Sequence, residues 1–432
     1  DEGKIDLDAP AVRYLPEFFM ADPRYVGITV RMLLNHSSGL PGTVAAGNIG
    51  FQYSAAVHQE MLAVLSRTCL KHDPGAMAIY CNDGFTLAEM IVERVSGQKY
   101  IDFLASRIFE PLALSDTGAS VGDRTIRRTA AEVVAAYYRP MTGQKEPFEA
   151  VSHLGSGGLS ATAMDLVRFA DSFSDAGRHI LSEPALREMR KNQPSSSPAK
   201  LRNPNLAYGL GWDMTYIPKY REQGIQVLGK SGGTGNYNSM VYTVPDERVS
   251  VAVIETGPAG RSVEIALEIL DAVLVEKGLV KEKMLLVSVP PKPEVIPDEY
   301  AAYCGYYILS GGRLASVNLD RTADRFRVSS VVGGVEVPAL CLYYSKGAFY
   351  RDDSGGMQLY FTMVDGEQYA VEPFVGFDMA FMRRLPAIEV PFSMEMDMNG
   401  KRWLRRNVKP FEGAFLIDSH LVQSCTIEAL PG

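Results

Sequence analysis

Four prolines fall between positions 290 and 297, in Ser288-Val289-Pro290-Pro291-Lys292-Pro293 and at Pro297. Proline fixes φ and removes a backbone donor, so this stretch belongs to no helix interior and no central strand. It predicts a stiff, extended linker. A chain of 432 residues is also too long for one ordinary core. The expected division is residues 1–283, a linker over 284–299, and a second domain over 300–432.

The two sides of the linker differ in hydrophobic period. In the first, Thr29 can cap a short helix through Arg31, Met32, Leu33 and Leu34. Ala88, Ile91, Val92 and Val95 follow helical spacing, with Gly97 placed as a C-terminal cap. Ser160 is a candidate cap for a helix bearing Leu166, Phe169, Ala170 and Phe173. Ile225 to Leu228, Ser239 to Val244 and Val249 to Thr256 then read as strands, the last two joined as a hairpin by Pro245-Asp246-Glu247. Val263, Leu267, Leu270 and Leu274 give one more amphipathic helix. The fold class expected is α+β, an antiparallel sheet flanked by helices with the last helix packed on it. Beyond Tyr300, the short alternating runs Cys304–Ile308, Phe326–Val332, Ala348–Arg351 and Leu359–Met363 predict a small all-β barrel.

Charge and composition exclude several classes of function. A net charge of −8 argues against nucleic acid as a partner, since phosphate binding needs a basic face. No window holds the roughly 18 apolar residues of a membrane helix. The cysteines at 69, 81, 304, 341 and 425 are scattered and odd in number, which argues against a metal site or a disulfide framework. His36, His58, His72, His153, His179 and His420 form no metal-binding pattern and read as structural or exposed. No metal and no cofactor are expected.

Three short motifs carry polar chemistry. Tyr80-Cys81-Asn82 stands just before the amphipathic helix, after the turn Asp73-Pro74-Gly75. Lys230-Ser231-Gly232-Gly233 is placed at the end of a strand, and Gly155-Ser156-Gly157-Gly158 precedes the helix assigned to Ser160. Singly, each is explained as well by a half-buried tyrosine, a strand-edge lysine or a loop.

They occur together with further blocks. Gly3-Lys4-Ile5-Asp6-Leu7-Asp8-Ala9-Pro10 with Tyr14-Leu15-Pro16 resembles the "GKLDLDDPV…YLP" stretch of class C β-lactamase-related serine hydrolases, a family that includes penicillin-binding proteins. Met32 to Pro41 is similar to its "LLTHTSGLP", and Pro74-Gly75 to Phe85 to its "PG…YSNxGY". Ser96-Gly97 resembles its "VSG" helix end, Gly157 to Leu166 its "GGLxSTAxDL", and Gly229 to Thr234 its "KTG" element. The blocks run in the family's order over the first domain. Tyr303-Cys304-Gly305-Tyr306-Tyr307 is similar to the start of the small lipocalin-like β-barrel appended to several members.

The resemblance implies acyl transfer through a serine ester, in an extracytoplasmic setting, periplasmic or secreted. A serine hydroxyl needs an adjacent base. By the resemblance, Tyr80 shares that work with a lysine of an S-x-x-K motif, provided neighbouring ammonium groups favour its phenolate. Asn82 positions the substrate or the lysine. Lys230 supplies positive field, and Ser231 a hydroxyl for a substrate carboxylate. Gly232 and Gly233 shape the strand edge, with the Gly233 N–H as an oxyanion donor. The implied substrates are D-amino-acid peptides or β-lactams bearing a carboxylate, with esterase or D-aminopeptidase activity as the alternative. His36 is expected to orient a turn rather than act as a base.

The nucleophile departs from the pattern. Ser96-Gly97-Gln98-Lys99 falls at a helix end, and Ser197-Pro198-Ala199-Lys200 lies in a proline-flanked loop after the tyrosine motif. Neither has the required context. The family's S-x-x-K helix is expected roughly twenty residues before Gly3, as an upstream or complementing segment. An inactive relative serving as a binding or sensing module is the reading from another class. Homo-oligomer contacts through the β-domain remain open, and a purely accidental set of motifs predicts Tyr80 and Lys230 far apart.

Overall fold

The structure is a computed structural model that describes residues 1–42, 49–50, 53–119, 135–138, 142–193, 207–257, 260–281, 291–309, 314–332, 335–352, 357–364, 366–375, 377–385, 402–403 and 425–426. It divides into two compact units, one formed by Asp1–Pro194 with Ala207–Leu286 and one carrying the chain from Val287 onward.

In the first unit the helix Val30–Leu34 begins at Thr29, whose side chain accepts from the Met32 N–H. The helix Asn82–Ser96 ends on Gly97, left-handed at φ 69°, as the spacing predicts. This helix buries Leu87, Met90 and Ile91 in a core with Leu15, Phe18, Leu33 and Leu65. Gly84 lies so close to the Val30–Leu34 helix that a Cβ there would sit 2.9 Å from the Leu33 carbonyl oxygen. The two helices therefore meet backbone to backbone, which sets where Asn82 begins.

The sheet is antiparallel, with Tyr237–Val244 between Leu228–Gly233 and Val249–Thr256. Its central strand is buried on both faces from Met240 to Val244. The helix Ser262–Glu276 covers the sheet through Ala266, Leu267, Leu270 and Leu274. Phe173, Trp212 and the helix Ala163–Asp171 contribute Ala170 and apolar neighbours around Leu228 and Val241.

Two local expectations are corrected. The first strand is Leu228–Gly233, not Ile225–Leu228. The apolar run marks only its entry, while the ladder to Tyr242, Val241, Met240, Ser239 and Asn238 carries the strand through Lys230 to Gly233. Lys230 is thus inside the strand. The helix Ala163–Asp171 is capped by Thr162, whose hydroxyl accepts from the Asp165 N–H. Ser160 is instead extended, paired with Gly118.

The second unit is a closed barrel of eight strands: Gly305–Leu309, Leu314–Asp320, Arg325–Val332, Val335–Ser345, Ala348–Arg351, Met357–Val364, Glu367–Phe374 and Phe377–Arg384. Each pairs antiparallel with the next, and the last closes on the first through Met382 opposite Leu309. Closure leaves no exposed edge within the barrel. Its interior is filled by Phe326, Phe349 and Phe361, whose rings meet edge-on or tilted at 4.8–5.4 Å between centroids. Ahead of the barrel, Ile296 is buried in this core and Glu294 bridges Tyr344. Residues 284–290 of the expected linker lie outside the described residues. No helix among the described residues is long and apolar enough to cross a membrane.

Phe349 is fully buried and touches Phe326, Phe361, Tyr300 and Tyr344. Phe349→Ala should therefore destabilise the barrel by about 3–5 kcal/mol, the cost of a large aromatic cavity. Denaturant unfolding followed by near-ultraviolet circular dichroism checks this.

Candidate active site

Tyr80 and Cys81 of the tyrosine motif are in no regular element. They belong to an extended segment between the Asp73 turn and the helix Asn82–Ser96, and it is held from outside. The His36 carbonyl accepts from the Ile79 N–H at 2.8 Å, and His36 Nδ1 accepts from the Cys81 N–H at 2.9 Å. His36 itself adopts φ 63°. Such a backbone is uncommon for a residue with a Cβ, and the paired bonds to Ile79 and Cys81 hold it there.

The His36 ring packs against Tyr80 at 4.5 Å between centroids, with Phe85 at 5.0 Å and Tyr208 at 4.8 Å. Burial pushes its pKa down to about 3, with nearby Asp213 opposing and the Lys230 and Lys71 ammonium groups adding to the shift. The imidazole is therefore neutral, and since Nδ1 accepts, the proton sits on Nε2. His36 is structural, as expected, but beyond its own turn it also braces the Tyr80 segment through Cys81 and the Tyr80 ring. Cys81, between the two candidate positions Tyr80 and Asn82, is buried, and burial raises its thiol to about 11. It is a small core group rather than a nucleophile.

Asn82 starts the helix, and Thr86 one turn on donates back to the Asn82 carbonyl at 3.2 Å. The next residue locks this start. The Asp83 N–H donates to the Gly42 carbonyl at 2.8 Å, and Asp83 Oδ2 accepts from the Gly42 N–H at 2.9 Å. The glycine-rich loop also lies along this helix. Thr86 Oγ1 contacts Ser156 Oγ at 3.3 Å, and Glu89 Oε2 accepts from the Gly155 N–H at 2.7 Å. The other Glu89 oxygen faces His58 Nε2 at 3.1 Å. Burial disfavours the His58 charge, but Glu89 and Glu93 outweigh it and raise the pKa.

Lys230 reaches this motif from the sheet, 150 residues later. Its Nζ lies 3.4 Å from Tyr80 Oη and 5.2 Å from the ring centroid. The same ammonium donates to the Ser231 carbonyl at 2.7 Å and contacts Asp213 Oδ1 and Oδ2 at 3.1 and 3.2 Å. Burial works against the ammonium, but Asp213 and then Tyr80 raise its pKa above the ordinary lysine range. Lys230 is thus a permanent cation at the tyrosine oxygen.

Leu228–Gly233 is the edge strand of its sheet, and hydrogen-bonding direction alternates along such an edge. The Gly229 N–H donates outward to the Met214 carbonyl at 2.8 Å, and the Ser231 N–H to Asp213 Oδ2 at 2.9 Å. The alternation places the Gly233 N–H on the same side, where Gly232 and Gly233 are exposed. Tyr80, Lys230 and Ser231 are thereby brought together, with Asn82 adjoining Tyr80 in the chain and Gly232 and Gly233 at the open end of the lysine strand. Motif reasoning passed over Asp213. The signal available was the glycine-aromatic run Gly209-Leu210-Gly211-Trp212 directly before it, which turns the chain back against the lysine strand.

Of the two S-x-x-K matches, Ser96 ends the helix that Asn82 starts, about 21 Å away along the axis at 1.5 Å per residue. Ser197–Lys200 lies outside the described residues. No cluster of His, Cys, Asp and Glu able to hold a metal ion occurs among the described residues.

Comparison with known proteins bears on the family and the fold. The profile of the family described as Beta-lactamase matches residues 1–274. Penicillin-binding protein 4* of Bacillus subtilis (strain 168) is 25% identical over 343 residues, covering 74% of this chain and 70% of that protein. Penicillin-binding protein 4 of Amycolatopsis lactamdurans is 26% identical, covering 72% and 80%. A D-aminopeptidase of Cereibacter sphaeroides is 27% identical, over 57% of this chain and 45% of its own length. Among solved structures, SurE superposes with a TM-score of 0.54 at 20% identity, covering 89% of this chain and 83% of that one, a likeness of fold.

A neutral, buried His36 makes the site acid-labile. Its folded pKa lies below the unfolded value, so its contribution is complete above about pH 6.5 and is lost as pH falls toward 3. His36→Gln should reduce the stability loss on acidification below pH 6 by about 1.4 kcal/mol per pH unit. Urea midpoints measured at pH 7, 6 and 5 check the difference in slope.

Proposed function

The chain belongs to the beta-lactamase family, and from that premise we propose that it is a serine hydrolase working by acyl transfer at Tyr80 and Lys230. The observation that carries the proposal is the 3.4 Å approach of Lys230 Nζ to Tyr80 Oη. These two groups come from distant segments, and a merely solvated tyrosine has no need of a cation braced by a buried carboxylate. Such an ammonium favours the deprotonated form of the tyrosine oxygen, which can then take the proton of an attacking serine as the serine oxygen bonds to the acyl carbon. Returning the proton to the leaving group completes acylation. Asn82 orients the acyl substrate by its amide, and the Gly233 N–H supplies one hydrogen bond to the oxyanion. The serine belongs to the family's S-x-x-K element, which the described residues do not place beside Tyr80.

The lysine strand by its motif alone favours carboxylate-bearing D-amino-acid peptides or β-lactams. One observation favours instead the esterase, amidase or D-aminopeptidase alternative. Both Lys230 and Ser231 are already engaged by Asp213.

The protein expressed from its complete reading frame should react with a fluorescent fluorophosphonate. Tyr80→Phe should slow labelling by about 10²–10⁴-fold, the range of a lost general base, with the far-ultraviolet spectrum unchanged. A folded wild type that takes no label would exclude acyl transfer and favour a binding or sensing module.

A further inference from the structure

We infer that Asp213 makes this site select against substrates with a free carboxylate at the position facing the lysine strand, and that its substrates are uncharged there, as amides or esters. The inference rests on the acyl-transfer reading above.

Two groups in the lysine strand could hold a carboxylate, the Lys230 ammonium and the Ser231 hydroxyl. Asp213 occupies both. Its side chain is 3% exposed, so it lies beneath the strand edge, whereas Lys230 is 31% exposed. Asp213 Oδ2 accepts the Ser231 hydroxyl at 2.7 Å and the Ser231 N–H at 2.9 Å. A hydroxyl has one proton. While it is donated to Asp213, Ser231 offers an arriving carboxylate only oxygen lone pairs, which repel it.

The ammonium is similarly compromised. Both Asp213 oxygens lie within 3.2 Å of Lys230 Nζ, and a third contact goes to the Ser231 carbonyl at 2.7 Å. With Tyr80 Oη at 3.4 Å, all directions in which three N–H bonds can point are answered from within the protein. The pair Asp213⁻ and Lys230⁺ has no net charge. An incoming carboxylate would give up its water for a site whose cation is already neutralised, and like-charge repulsion from Asp213 would oppose it. An uncharged amide or ester avoids that cost and leaves the ammonium on the tyrosine oxygen, where acyl transfer needs it. Asp213 thus acts through Lys230 and Ser231 as a specificity-determining residue.

The test uses the protein expressed from its complete reading frame, as wild type and as Asp213→Asn, which keeps shape and can still accept from Ser231. Fluorophosphonate labelling is read first, because it reports the nucleophile and its base and ignores a substrate carboxylate. Protection against that labelling is then measured with N-acetyl-D-alanyl-D-alanine and with its C-terminal amide. In the wild type the acid should protect no better than the amide. In Asp213→Asn the acid should gain roughly tenfold relative to the amide, the worth of one regained hydrogen bond to a charged group. A labelled Asp213→Asn protein with no gain for the acid overturns the inference. So does a wild type protected tenfold or more better by the acid, and that result stands even if the variant does not fold. Wild type that takes no label removes the acyl-transfer reading itself, a different failure from an unchanged preference.

Discussion

The first unit is organised around one buried hydrogen bond, from the Cys81 N–H to His36 Nδ1. It joins the turn after the Val30–Leu34 helix to the segment that presents Tyr80, and it needs an unprotonated ring nitrogen in a place that burial keeps unprotonated. The cost of removing an imidazole from water is offset by the aromatic enclosure of Tyr80, Phe85 and Tyr208. That enclosure fixes the plane of the Tyr80 ring. Once the ring is fixed, the position of its oxygen relative to the sheet is fixed too, and Lys230 can meet it across 150 residues of sequence.

The second constraint is electrostatic. A half-buried cation placed against a tyrosine oxygen needs a counter-charge, and the buried Asp213 provides it. Replacing one partner of such a group leaves the other poorly solvated, so Asp213, Lys230 and Ser231 behave as one unit. Under the proposed acyl-transfer reading, this arrangement would serve proton transfer at Tyr80 while removing the positive field that a substrate carboxylate would seek. Base chemistry and substrate preference would then derive from the same pair.

Much of this was legible in the sequence because it is local or short in span. The helix Asn82–Ser96 follows from the spacing of Ala88, Ile91, Val92 and Val95 and from Gly97 beyond it. The barrel follows from alternating runs between turn residues. Tyr80 and Lys230 were found through motifs whose order matched a family. What escaped was tertiary. Asp213 has no periodicity and no motif spacing relative to Lys230, and only the turn through Gly211 and the bridge from Met214 to Gly229 make it a neighbour. The strand Leu228–Gly233 is not legible from side-chain propensity, because half of it is glycine and its stability derives from pairing with Tyr237–Val244. Ser160 and Thr162 are two hydroxyl residues two apart, and only tertiary structure separates them, through the pairing of Ser160 with Gly118 and the Asp165 N–H bond to Thr162.

The most direct measurement of the central claim is a crystal structure of the protein with a phosphonate bound covalently to its nucleophile. The account predicts a phosphonyl oxygen within about 2.7–3.1 Å of the Gly233 N–H, with Tyr80 Oη beside the adduct and still in contact with Lys230. An adduct more than about 10 Å from Tyr80, beyond the range over which Lys230 and Tyr80 could act on it, would contradict the account.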